Sequence, residues 1–221
     1  TDAQDFTNPS ILSGDFSDND FISGSGSTLR ITGNSDNAYH VLITVGLTLT
    51  AATHIEGFLI TGGHANVDST ILYSGHSFNN MNGGGMANIS SSPSIVNTVF
   101  SGNKAGRAGG IYNTLSSSPS IVNSTFSGNH SERVAGGIWH VSGTYSTLSI
   151  VNCTFIGNYA ERGGGMLNSG PSASIVNTVF SGNSAENGGG MLNDGPSLSI
   201  VNSTFSGNSA QFGGGGMLIS S

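Results

Sequence analysis

The sequence predicts an all-β fold: a right-handed parallel β-helix, a solenoid of about seven coils of roughly 25 residues with two insertions. Three observations predict it. A ten-residue segment recurs, as SIVNTVFSGN, SIVNSTFSGN, SIVNCTFIGN, SIVNTVFSGN and SIVNSTFSGN, starting at Ser94, Ser120, Ser149, Ser174 and Ser199. The isoleucines of these segments, Ile95, Ile121, Ile150, Ile175 and Ile200, lie 26, 29, 25 and 25 residues apart. A glycine run and an apolar pair accompany each repeat: Met86-Ala87, Ile111-Tyr112, Ile138-Trp139, Met166-Leu167, Met191-Leu192 and Met217-Leu218. A fixed period of this size marks repeats that bury apolar surface only against their neighbours. Helices are disfavoured, because the chain holds 35 glycines and its repeats are rich in β-branched Ile, Val and Thr.

The chain reads as one domain over residues 1–221, with irregular coils over 1–82 and regular repeats over 83–221. In the first part, Ile11-Leu12-Ser13-Gly14-Asp15 matches the Val-Phe-Ser-Gly-Asn end of a repeat. Ile55 to Gly62 aligns with Ile95 to Gly102 and places Ile60 in the Phe column. The distances Gly14 to Gly62 and Gly62 to Gly102 exceed one coil, so insertions are expected to bulge out near 16–38 and 64–82.

In the regular part, each repeat is expected to supply three short strands per turn. Alternation points Ile95 inward and Val96 outward. Phe100, Phe126, Phe155, Phe180 and Phe205 form one interior column. The isoleucines form a second, and Met86, Ile111, Ile138, Met166, Met191 and Met217 a third. Asn97, Asn123, Asn152, Asn177 and Asn202 recur at one turn, and Asn103, Asn129, Asn158, Asn183 and Asn208 at another. Stacked asparagines satisfy turn backbone, so both columns are expected to be internal, and glycosylation at their Asn-X-Ser/Thr sequons is not expected.

The FSGNxA unit followed by Gly-Gly-(Gly)-apolar resembles the short motifs of polymorphic outer membrane proteins. It is similar more broadly to secreted right-handed β-helix repeat proteins. The resemblance covers about residues 83–221 well and 11–63 loosely. It implies the fold and an extracellular or cell-surface location. It does not imply one activity, since that group includes adhesins, autotransporter-like passengers and polysaccharide-active enzymes.

Composition excludes some functions. The net charge is −7 with five Lys and Arg in all, so no basic patch exists to neutralise the phosphates of a nucleic acid. No apolar run is long enough for a membrane span. Cys153 is the single cysteine and makes no internal disulfide.

Asp15, Asp18 and Asp20 in GDFSDND are candidate calcium ligands, because oxygen donors at alternating spacing on a loop suit that ion. A solvated acidic loop is the competing reading. No other cofactor is implied. Arg107, Arg133 and Arg162 in one column beside Glu132, Glu161 and Glu186 in another suggest a surface salt-bridge ladder. The candidate contact surface is a pair of outward apolar stripes: Val96, Val122, Val151, Val176 and Val201, and Ala87, Tyr112, Trp139, Leu167, Leu192 and Leu218.

The sequence around Met217 to Ser221 shows no polar cap, and an open β-helix end invites pairing, so either the chain is a fragment of something longer or subunits stack end to end. The expected function is therefore a non-enzymatic extracellular structural or adhesive protein. It is expected to self-associate head to tail into a surface fibre or layer through Leu218, Ile219 and the Thr1–Ser10 segment, or to contact other surface proteins. The alternative is a carbohydrate-binding or polysaccharide-cleaving β-helix that uses Tyr112, Trp139 and Tyr145 as a stacking platform.

Overall fold

Parallel pairing joins residues that are one repeat apart in sequence, as the period requires. A computed structural model describes residues 10–46, 53–141 and 143–220. Ile95 pairs with Ile121, Ile121 with Ile150, Ile150 with Ile175, and Ile175 with Ile200, all in parallel register. Phe100, Phe126, Phe155, Phe180 and Phe205 pair in the same way, as do Met86, Ile111, Ile138, Met166, Met191 and Met217. The chain is an all-β solenoid of parallel stacked strands.

These registers create one interior. Phe100, Phe126, Phe155 and Phe180 are wholly buried and share a core with the isoleucine and Met/Ile columns. Their ring centroids lie 5.0, 4.7, 4.6 and 4.6 Å apart along the column to Phe205, with the planes tilted by at most 8°. That spacing follows from the separation of hydrogen-bonded strands, about 4.8 Å. Leu12 and Ile60 continue the Phe column toward the N-terminus, as their sequence context predicts.

Two details differ from expectation. The solenoid has about five turns rather than seven coils. The turns with full repeats begin at Ser94. Strands Ser10–Ser13, Leu42–Val45 and Phe58–Thr61 lengthen the sheets to as many as seven strands, but the chain between them goes into insertions rather than regular turns. Most turns also carry a fourth strand, which in one coil is reduced to isolated bridges at Tyr159 and Arg162. A short side face lies between the Phe and Met faces, built by His64–Ala65, Lys104–Arg107, His130–Val134, Ser184–Asn187 and Ser209–Gly213. Its short strands sit between two glycine-rich corners, which hid them from a strand count.

The corners explain the repeat's polar residues. Asn97, Asn123, Asn152, Asn177 and Asn202 all adopt left-handed backbone, φ 48° to 54°, which Asn tolerates better than other side-chain-bearing residues. The turn sends these side chains outward. Asn177 Nδ2 donates to Asn152 Oδ1 and Asn152 Nδ2 to Asn123 Oδ1, at 3.1 and 3.2 Å, on the exposed surface. The expectation of an internal column is thus corrected for this set. Sequon residues Asn123, Asn152 and Asn202 are exposed, whereas Asn88 and Asn129 are buried.

The second column is internal as predicted. Asn158 Nδ2 donates to Asn183 Oδ1 and to the Phe126 carbonyl, both at 2.9 Å. Its Oδ1 accepts from the backbone N–H and Nδ2 of Asn129, at 3.0 and 3.1 Å. A third ladder follows the Met column: Thr44 Oγ1 donates to Asn88 Oδ1, and Asn88 Nδ2 to Asn113 Oδ1. His140 takes the next position in register, and Asn168 and Asn193 resume the ladder.

Glycine serves close stacking as much as bending. A Cβ on Gly110 would meet the Gly137 carbonyl oxygen of the next coil at 2.5 Å. Gly163 combines φ +66° with a site where a Cβ would lie 2.4 Å from the Met166 carbonyl oxygen.

The first insertion does not project from the stack. It forms a strap: the antiparallel strands Phe21–Ser23 and Arg30–Thr32, joined by a short 3-10 turn, lie along the corner between the Phe and side faces. Gly26 N–H donates to the Gly157 carbonyl at 3.1 Å. Leu29 is buried, and a Cβ on Gly102 would collide with Ile22. The second insertion contains the hairpin Thr70–Tyr73 with His76–Asn79, whose Phe78 packs on Ala87 and Ile89.

Candidate functional site

The outward residues of one column vary from coil to coil, as in Lys104, His130, Tyr159 and Ser184, and the insertions and the last described coil add surface of their own. That coil's strands Leu198–Val201, Thr204–Ser206, Ser209–Gly213 and Met217–Ile219 each end a sheet and have a strand neighbour on one side only. Leu198, Ile200, Phe205 and Met217 continue the core columns but are only partly buried, whereas Ile175, Phe180 and Met191 one coil earlier are fully buried. A cavity of about 670 Å³ opens there, lined among others by Pro196, Leu198, Ile200, Met217 and Ile219. Ile219 is 60 % exposed.

The two apolar stripes behave differently. Val96, Val122, Val151 and Val176 are half-buried and Val201 is exposed, so this stripe reaches the surface of the Ile face. In the other stripe Ala87, Tyr112, Leu167 and Leu192 are buried, and only Trp139 and Leu218 are half-buried. Its expected exposure is corrected. The preceding corner folds back over the column: Ala135 clusters with Leu167 and Leu192, and a Cβ on Gly188 would lie 2.8 Å from that of Leu192. The Tyr112 and Trp139 rings meet at 5.1 Å, tilted by 41°, but with Tyr112 covered the pair is not an open platform, and Tyr145 stands apart as an exposed ring.

The acidic loop is organised by its own backbone. Asp15 accepts from the Ser17 and Asp20 amides, each at 3.1 Å. Slight desolvation would raise its pKa, but amide donors including those of Asp20, Asn19 and Ser17 outweigh it and lower the pKa. Asp20 accepts from Asn37 Nδ2 at 2.8 Å, and burial raises its pKa. Asp18 is exposed with φ 51°. The three carboxylates do not converge, and among the described residues no group of three His, Cys, Asp or Glu side chains is placed to hold a metal. The calcium expectation is corrected accordingly: alternating spacing in sequence became an Asx-type loop.

A scan against protein-family models and searches of curated proteins and of solved structures found no match for the chain.

The salt-bridge ladder also fails to form. The turn from His130 to Val134 carries an extra residue, so Val134, not Arg133, falls in register between Arg107 and Arg162. Among the described residues the ion pairs are His54 with Glu56 and Arg162 with Asp194, at 2.8 and 2.9 Å. Cys153 occupies the column of Thr98, Ser124, Thr178 and Ser203, whose hydroxyls each donate to the carbonyl two residues earlier. Its thiol makes the same contact with Val151, and burial pushes its pKa up to about 11, which leaves it an inert protonated group. The sequence shows Cys153 replacing a Thr or Ser of its column as an inert small residue, but the hydroxyl-to-carbonyl bond that defines the column came only from the structure.

Proposed function

We propose that the chain is a non-enzymatic structural or adhesive module of an extracellular β-helical assembly, extended by stacking of copies coil on coil, head to tail. The observation that carries this reading is the unbroken register in which the Ile and Phe columns stack coil on coil. A copy stacked in the same register would pair strand with strand and bury apolar surface at about 25 cal/mol per Å². The interior supports a load-carrying role, because the Phe stack and the Asn ladder from Asn103 to Asn208 run through consecutive coils without a break. The right-handed, polymorphic outer membrane protein type of repeat and the surface location belong to the same proposal and rest on the FSGNxA and Gly-Gly-apolar motifs. The Thr1–Pro9 part of the contact segment lies outside the described residues.

Such a contact is heterologous, so it propagates unless rotation closes it. Electron microscopy of the purified chain tests the proposal. Uniform rods or fibres that disperse on Leu218→Glu with Ile219→Lys support it. Dispersed particles that release sugar from a polysaccharide panel overturn it in favour of the carbohydrate-active alternative.

A further inference from the structure

The side face carries Lys104 between two histidines. Lys104 pairs in register with His64 on one side and His130 on the other, and His130 bridges onward to Tyr159. Adjacent coils sit about 4.8 Å apart, so the three side chains share one locality. The strap crosses this locality. With Gly26 bonded to Gly157 and Leu29 buried, it brings Arg30 beside the side face, where Arg30 Nη1 donates to its own Leu29 carbonyl at 2.8 Å.

Among the described residues neither Arg30 nor Lys104 is in an ion pair. Glu132 and Asp20 act on His64, but the charged groups that act on His130 are Lys104, Arg30 and His64, all basic. The His130 ring is held by stacking on Tyr159 at 5.1 Å and 19°. Its Nδ1 is buried and has no hydrogen-bond partner. Two independent facts thus meet: two cations, Lys104 and Arg30, that are in no ion pair, and a buried ring nitrogen of His130 without a hydrogen-bond partner. A buried polar atom left so carries a desolvation cost that a ligand removes.

We propose that the crease between the strap and the side face binds an oxyanion, a carboxylate, sulfate or phosphate group, held by Lys104, Arg30 and the Nδ1–H of His130. Charge-assisted hydrogen bonds from an ammonium and a guanidinium are the strong class of such contacts. The anion also completes the hydrogen bonding of His130. Burial, then Lys104, Arg30 and His64, depress the His130 pKa to about 4, and a bound anion opposes the last three of these causes. Because Arg30 belongs to the strap, binding pins the strap to the solenoid. The site is independent of the end-to-end assembly proposed above.

The test is histidine-ring NMR of the full chain near neutral pH. Sodium sulfate, sodium phosphate and sodium glucuronate are each titrated against sodium chloride at matched ionic strength. The expected result is a saturable movement of the His130 ring signals with at least one oxyanion, and a rise in the His130 titration midpoint. Lys104→Met and Arg30→Gln should each weaken the response about tenfold, the loss of one charged contact. Both positions reach solvent, so the variants should stay folded, which the unchanged spectrum of the Phe column checks. The anion that saturates at the lowest concentration identifies the source chemistry. Equal responses to chloride and to the oxyanions, or variants that titrate like the parent, overturn the proposal.

Discussion

Replacing Asn158 by Ala should destabilise the solenoid by about 3–5 kcal/mol, counting two orphaned groups and lost hydrogen bonds. The figure follows from the ladder geometry. Asn158 Oδ1 accepts from the Asn129 backbone N–H at 3.0 Å, and its Nδ2 donates to the Phe126 carbonyl at 2.9 Å. Alanine makes neither bond, and both partners are interior. Asn183 Oδ1 keeps the Asn158 backbone N–H, and Asn129 Nδ2 keeps the Phe100 carbonyl, so those two groups are not orphaned. The matched control is Asn152→Ala, the same residue type in the outward ladder, where water replaces the lost amide contacts. It should cost about 1–2 kcal/mol, the penalty of alanine in left-handed backbone at φ 54°, since its side-chain bonds are solvent-exposed. Urea unfolding followed by far-ultraviolet circular dichroism measures both, with the slope checked for constancy because repeat arrays lose cooperativity. Equal costs for the two asparagines would refute the assignment of one ladder to the interior and the other to the surface.

Further outcomes follow from the same structure. Phe155→Ala, in the middle of the ring stack, should cost about 3–5 kcal/mol as a core truncation, measured in the same unfolding assay. Gly163→Ala should be much more damaging than Gly182→Ala. Both have positive φ, but a Cβ at Gly182 meets nothing within 4 Å, so only the backbone cost of about 1–2 kcal/mol applies there. Stability should fall as pH drops from about 6.5 towards 4, because burial lowers the folded-state pKa of His140 to about 4 and the unfolded chain takes up the proton first. The full contribution of His140 is present above its unfolded pKa and amounts to about 3 kcal/mol, with a smaller share from the partly open His130. His140→Gln should flatten that pH dependence in thermal unfolding.

The interior was legible in the sequence wherever a column repeated. The Phe, Ile and Met columns needed only the period and strand alternation, and Leu12 and Ile60 were placed by the same logic. What alternation could not supply was the direction of residues at corners. Asn97 and its column follow an outward valine yet turn outward themselves, because left-handed backbone breaks the parity. Leu167 and Leu192 alternate away from the core yet are covered by the corner before them. Arg133 left its column because a single extra residue in one turn shifted the register to Val134. The strap was legible as an insertion from the distance between Gly14 and Gly62. Its path along the Gly102 to Gly182 corner was not, since the glycines that admit it also serve the turn. The basic locality around Lys104 and His130 depends on that path, and so it emerged only from the structure.

The most direct test of the proposed function is sedimentation velocity of the chain over a hundredfold range of concentration, beside a Leu218→Glu, Ile219→Lys double variant. Coil-on-coil stacking predicts a sedimentation coefficient that rises with concentration for the parent and stays constant for the variant, with both retaining the same β-rich circular dichroism. A parent that sediments as a monomer across the whole range would contradict it.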